Sequence, residues 1–473
     1  MTPTLAPRTL NRHGKRQQRL WRSESAKTYL TFGRKTADSR ATRILAAFLV
    51  VGALAPKEVH FVIGLLGIGV CAWMQPHALA EGLKKASWFW GVLVLAIVVT
   101  FPAAVILKHS FFDVLKGFYY LVRLPIFLAL GFASFWVLKS RDGLLKAICA
   151  SAVLSAVVYM ARYLLDPSIA VELQAGDRTY IRDTLGAGSY LWSIAIGVAL
   201  AFPRALGKWR VILVPVIISA VASAIVISTG RTAVVWIAVL LIVLAIPRIK
   251  QAWPFQLLYG IVFLFFFLTL TPFLYFGPEL VSQRWYESIG YIDESIPTAR
   301  YSLREINTHW RGFETFLAFK YVFSLHGPWF LWGTGLGDRV PLGFMFNLGG
   351  EDVTSIPIFH NGFSLLMVRS GLLGLFLFVM GNFKLIKDLL PKPGGFGPQT
   401  RADANLSKLG IGVVLLMVMA FPTISGLYHG AEGGSSIPFI LGYITAYLRT
   451  NRFVDDRPAM RYEQVMPKSV ESD

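Results

Sequence analysis

The side chain best suited to proton transfer in this chain stands at the end of a long polar stretch. His360 follows Ile356-Pro-Ile-Phe and precedes Asn361-Gly362, where an apolar segment begins. A neutral imidazole at that position can take a proton from a hydroxyl near neutral pH. The positive end of a following helix, and arginines nearby, favour the neutral ring. The plainer reading is an interfacial histidine with its hydrogen bonds satisfied, since His60, His109, His309, His326 and His429 map to the same half of the chain's layout.

Arginines supply the second kind of chemistry, because a guanidinium donates paired hydrogen bonds to phosphate. Arg300, Arg304, Asn307, Arg311 and Glu314 share one stripe about 80° wide on a helix expected over 299–324. Such a stripe is either a solvated polar face or an arginine row aimed at an anion. Arg231 sits in the tight turn Ser228-Thr-Gly-Arg-Thr between two apolar runs. It can anchor headgroups, cap carbonyls or hold a substrate anion. Arg123, Arg162 and Arg369 lie inside apolar runs, where a charge is costly and takes a paired or functional role, snorkelling being the common alternative. Arg369 falls about eight residues into its run, ~12 Å at 1.5 Å per residue.

Gly333-Thr-Gly335-Leu-Gly337-Asp338 is a spaced-glycine run that can wrap backbone N–H groups round a phosphate. It has no βαβ context and no Walker lysine, so a packed turn using positive φ is the favoured reading. Asp293-Glu294 and Glu351-Asp352 are acidic pairs without a companion cluster, and no metal site is expected. Cys71 and Cys149 sit in apolar runs far apart in the chain, which suggests neither a disulfide framework nor a metal site.

The elements that must position these residues are membrane helices. With 473 residues, 55% hydrophobic, 15% charged and mean hydropathy +0.55, the chain is too apolar for a soluble globular protein. Apolar runs of about 17–23 residues match the hydrocarbon core. Twelve spans are expected, at 41–56, 59–75, 86–107, 119–138, 143–165, 187–203, 209–229, 232–247, 255–276, 361–383, 409–430 and 433–448. The net charge of +19 is concentrated in alternate loops and both tails, as the positive-inside rule requires, rather than in a nucleic-acid-binding face. That pattern divides the chain into five parts. Residues 1–43 form a retained basic cytoplasmic tail and 44–276 carry spans one to nine. Residues 277–358 form a periplasmic loop containing helices, 359–448 carry spans ten to twelve, and 449–473 are a cytoplasmic tail. The expected class is an all-α polytopic membrane protein with its site facing the periplasm.

In order along the chain, Ser228-Thr-Gly-Arg231-Thr-Ala, then Arg311 ahead of Gly333-x-Gly335-x-Gly337, then His360-Asn361 before Gly371-x-x-Gly374 form a set. Together they resemble the O-antigen ligase and polymerase superfamily of bacterial lipopolysaccharide biosynthesis. The resemblance implies a C-type glycosyltransferase-like fold in the bacterial inner membrane. It implies transfer of a glycan from undecaprenyl diphosphate to the sugar of lipid A-core, with no metal and no cofactor. By position His360 corresponds to the catalytic histidine, and Arg231 and Arg311 to the arginines that hold the diphosphate. Gly333, Gly335, Asn361, Arg369, Arg300, Arg304, Arg162 and Arg123 stand as secondary candidates. The expected partners are the lipid-linked donor, lipid A-core and membrane lipids. Within the superfamily the alternative is a polymerase or another lipid-linked oligosaccharide transferase. From a different class, a transporter or flippase for an anionic lipid-linked solute would need polar residues continuing through the inner half of the spans, and the arginines within spans fall toward the outer half.

Overall fold

The computed structural model describes residues 39–54, 57–85, 104–166, 189–227, 231–245, 306, 310–325, 329–348, 351–356, 359, 361–390, 401–423 and 435–455. These residues are mostly helical. In chain order the helices are α1 (39–54), α2 (Lys57–Met74), α3 (Pro76–Lys85), α4 (Phe111–Leu138), α5 (Arg141–Leu165), α6 (Ser189–Ala201), α7 (Arg210–Ile227) and α8 (Arg231–Ala245). After them come α9 (Trp310–Ser324), α10 (Gly362–Leu389), α11 (Arg401–Thr423) and α12 (Ser436–Asp455). Four helical runs, Phe111–Leu138, Arg141–Leu165, Pro203–Ile225 and Gly362–Leu389, are long and apolar enough to cross a membrane. Val62–Met74, Tyr190–Ala201 and Ala233–Ala245 are shorter apolar helices. Of the other expected spans, 255–276 and most of 86–107 lie outside the described residues.

The helix α4 is the axis of the bundle, packed against α2, α3 and α12. Lipid is as apolar as leucine, so helices in a membrane associate through close packing and hydrogen bonds rather than hydrophobic expulsion. The α4–α12 crossing shows this. A Cβ added at Gly131 would run into the carbonyl of Phe439, and one at Gly442 into the carbonyl of Leu128. Glycine at both positions therefore lets the two backbones touch. Polar side chains join the remaining helices. Tyr443 of α12 donates to Ser140 O at 2.8 Å, Ser151 of α5 to Ala46 O of α1 at 3.1 Å, and Trp192 Nε1 of α6 to Ser155 Oγ of α5 at 2.8 Å. Tyr190 stacks on Trp236 at 4.1 Å between centroids, pinning α8 to α6.

Three features depart from the sequence-based expectation. First, α4 starts at Phe111, two turns before the expected 119, so Asp113 and Lys116 belong to the helix. Asp113 in the first turn complements the positive end of the helix dipole. Second, Pro76–Lys85 is a helix rather than a loop. Proline opens it, where a missing N–H costs nothing, and Ala78 and Leu79 are buried.

Third, the all-helical description fails locally. Val340–Leu348 (β1) and Glu351–Ile356 (β2) pair as an antiparallel hairpin, Val340 opposite Ile356 and Leu348 opposite Glu351, with an irregularity between Pro341 and Phe346. Val340 and Leu342 are buried while Pro341 and Gly343 are exposed, the two-residue alternation of a strand with one covered face. Phe346 stacks on Trp310 of α9 at 5.1 Å. In the expected 299–324 helix, the described part ends at Ser324 as anticipated. Glu314, however, does not share a solvated polar stripe. It is buried and accepts a hydrogen bond from Trp310 Nε1 at 2.6 Å.

Candidate functional site

The site is built round a break in α10. Gly371 adopts φ 63°, ψ −164° inside the helix, a conformation open to glycine alone. At that break the carbonyl of Val368 turns to a new partner. Thr334 supplies it: its N–H donates to Val368 O at 2.7 Å, and its Oγ1 lies 2.9 Å from the same oxygen. Gly333, at φ 76°, fits against the backbone of Arg369 and Ser370, which a Cβ would meet at 2.5 Å. The glycine run is thus a packed turn, with Gly333, Gly335 and Gly337 all at positive φ and all buried.

The other side of that turn rests on α4. A Cβ at Gly117 would meet Gly337 N at 3.3 Å, and one at Gly337 would meet Val114 N at 2.8 Å. Arg339 closes the junction with a two-pronged bond to Asp113, 2.9 Å to each carboxylate oxygen. The turn therefore ties the first turns of α4 to the middle of α10.

A buried polar cluster lies within this junction. Asp338 is 3% exposed and accepts from Thr334 Oγ1 and from Tyr321 Oη of α9, the latter at 3.4 Å. His109 approaches from ahead of α4, with Nδ1 3.9 Å from Asp338 and Nε2 3.3 Å from Thr334 O. Arg369 is 5% exposed and donates from Nη1 to Gly335 O at 3.3 Å. Asp338 and Asp113 are the carboxylates that act on its charge. Burial, then Asp338, push the Tyr321 phenol above its ordinary pKa. The Asp113 bond holds the Arg339 guanidinium above its usual value. A cavity of ≈20 Å³ remains between α4 and α10, lined by Asp113, Lys116, Gly117, Tyr120, Leu121, Leu365 and Arg369. It has room for about one water.

Asn361 begins α10 as its N-cap, accepting from Phe363 N at 2.9 Å and Ser364 N at 3.4 Å. Its Nδ2 donates to Thr315 Oγ1 of α9 at 3.1 Å. The structure thus brings Arg369, Gly333, Gly335 and Asn361 to the region where α4, α9 and α10 meet. Arg231 opens α8 and Arg311 lies in the first turn of α9, while the side chains of both, and all of His360, Arg300 and Arg304, lie outside the described residues.

Two of the secondary arginines stand elsewhere. Arg162 is exposed in the last turn of α5. Arg123 is buried in a second cluster, with Nη2 3.0 Å from His60 Nδ1, which also lies 3.0 Å from Ser435 Oγ. An arginine can only donate, so His60 Nδ1 is the acceptor in that contact.

Sequence reasoning gave no role to Asp338, Thr334, Asp113 or His109. The only available signal was an acid placed directly after the third glycine of the run. Among the described residues no group of three or more His, Cys, Asp or Glu side chains could hold a metal ion. No protein-family model matches the chain, and no curated protein matches it.

Proposed function

We propose that this chain is a membrane-embedded glycosyltransferase of the O-antigen ligase type, moving a glycan from undecaprenyl diphosphate to lipid A-core at the periplasmic face of the bacterial inner membrane. The observation that carries the reading is the Asn361–Thr315 hydrogen bond. His360 is the residue before Asn361, and Arg311 lies four residues, one helical turn, before Thr315. One bond therefore keeps the backbone beside the proposed base next to the helix that carries a proposed diphosphate arginine. The buried guanidinium of Arg369, held by the glycine turn in the same region, adds positive charge.

In the proposed reaction the acceptor hydroxyl oxygen attacks the anomeric carbon as the bond from that carbon to the diphosphate oxygen breaks. The hydroxyl proton passes to His360, and the configuration inverts. Arg231 and Arg311 stabilise the negative charge that builds on the leaving diphosphate. The donor is already activated, so no nucleotide is consumed.

The test is an assay of detergent-solubilised enzyme with an undecaprenyl-diphosphate glycan, offered lipid A-core and a second donor molecule as acceptors. Glycosylated lipid A-core is the expected product, abolished by His360→Ala. A product on the second donor instead makes the chain a polymerase. Near wild-type turnover by His360→Ala removes the base. Solute movement without any covalent product, in sealed vesicles, makes it a transporter.

A further inference from the structure

About 20 Å further along α4 from the glycine turn, counting Gly117 to Leu130 at 1.5 Å per residue, the bundle leaves a second concavity. This groove of ≈740 Å³ lies between α1, α2, α4 and α12, with Ile44, Leu45, Phe48, Val70, Leu130 and Phe439 among its walls. Two polar side chains in the wall, Cys71 and Ser134, are hydrogen-bonded to each other. The walls therefore ask nothing polar of an occupant.

Charge is confined to one end. Arg40, exposed in the first turn of α1, lines the groove there. Leu138 lines it at the end of α4, and the next residue, Lys139, is exposed. The outer rim is apolar, with Ile44 47%, Val70 54% and Met74 47% exposed.

We infer that this groove holds one acyl chain of an anionic phospholipid of the cytoplasmic leaflet, with the phosphate beside Arg40 and Lys139. Four helices make the site concave, so it fits a single chain rather than the flat or convex face of a protein partner. Its volume is within the range of small-molecule sites, roughly 300–1,000 Å³. Basic side chains close to the membrane surface draw anionic headgroups, and here the cations stand where an apolar slot begins. This is charge complementarity for a lipid with a negative head. The inference does not rest on the ligase reading, because the groove lies at the other end of α4 from Arg369.

The full-length protein in detergent micelles, doped with phosphatidylglycerol or phosphatidylcholine of identical acyl chains, tests it. Native mass spectrometry should find one phosphatidylglycerol retained, with at least a tenfold preference over phosphatidylcholine. Val70→Trp fills the groove from its exposed rim and should cut retention about tenfold. Val211→Trp, on the exposed face of α7, should leave retention unchanged. Arg40→Glu should abolish the preference. Equal retention by Val70→Trp and Val211→Trp overturns the site.

A second readout needs no substitution in the groove. In Cys149→Ala the sole remaining thiol is Cys71, in the groove wall. Phosphatidylglycerol should slow its alkylation severalfold, and phosphatidylcholine and glycerol 3-phosphate should not. Failure of phosphatidylglycerol to slow it overturns the proposal. Protection by glycerol 3-phosphate overturns the acyl-chain assignment.

Discussion

Asn361 Nδ2 donates to Thr315 Oγ1 across 3.1 Å, while Asn361 Oδ1 caps the first turn of α10. One amide thus carries two separable tasks, capping the start of a helix and fastening it to α9. Thr315→Val removes only the second. It should leave thermal stability within about 1 kcal/mol yet lower kcat/KM severalfold in the glycan-transfer assay. Asn361→Ala removes both, adding about 1 kcal/mol for the lost cap. Thr315→Val with wild-type kcat/KM would detach this bond from the site.

Gly371 turns where only glycine can. Gly371→Ala drives a Cβ into the backbone of Leu331 while forcing alanine to φ 63°, and the strained backbone alone costs about 1–3 kcal/mol. Gly69 in α2 is the matched control, because a Cβ there meets nothing within 4 Å. Gly69→Ala should be neutral or stabilise by up to about 1 kcal/mol, since alanine loses less entropy in a helix. Thermal melts of the two variants should differ in sign or by several degrees. Equal melts would refute the assigned backbone at 371.

The Arg339–Asp113 pair has good geometry, but the Arg339 side chain is 53% exposed. Solvent and salt screen it, so Arg339→Ala should cost less than about 1 kcal/mol, and less again in high salt. Asp338→Asn should cost more, because a buried carboxylate that accepts from Thr334 and Tyr321 loses its charge, and hydrogen bonds to a charged group are worth about 1.5–3 kcal/mol. Melting curves at low and high salt separate the two. A larger loss for Arg339→Ala would reverse the ranking.

Tyr321 predicts a pH dependence. Burial and the Asp338 carboxylate raise its pKa in the fold, so the fold holds the phenol in its neutral form. This contribution is complete below the ordinary tyrosine pKa of about 10. It is lost as pH climbs toward the raised value, because the unfolded chain then releases a proton that the folded chain keeps. Melting temperature should fall between pH 9 and 11, and fall less steeply in Tyr321→Phe. Identical slopes would show that Tyr321 titrates freely.

Much of the helical layout was legible in the chain itself. The run at 361–383 belongs to the helix Gly362–Leu389, and 143–165 to Arg141–Leu165. Both follow from a local rule, that apolar stretches of membrane-spanning length form helices that satisfy their own backbone. The same rule misjudged the start of α4, because Asp113 and Lys116 look like the end of an apolar run. Contacts across the bundle make room for them. Arg339, distant in sequence, neutralises Asp113. The hairpin 340–356 escaped notice for a different reason. Pro341 and Gly343 weaken its strand signal, and its face is covered by residues distant in sequence, among them Trp310, which stacks on Phe346.

By itself, the sequence determined the apolar helical class, a costly charge at Arg369 within an apolar run, and a glycine run that had to turn tightly. Each depends on residues close together in the chain. Only the tertiary structure decided the partners. Arg369 meets Gly335 O, Val368 O meets Thr334, and Asp338 gathers Tyr321 and His109. Tertiary contact also separated arginines that look alike in sequence, setting Arg369 in the glycine-turn junction, Arg123 beside His60, and Arg162 in the open. The physical reason is that a buried charge requires a partner without specifying which one. That choice follows from which backbones approach closely, and here glycines at 117, 333, 337 and 371 let them do so.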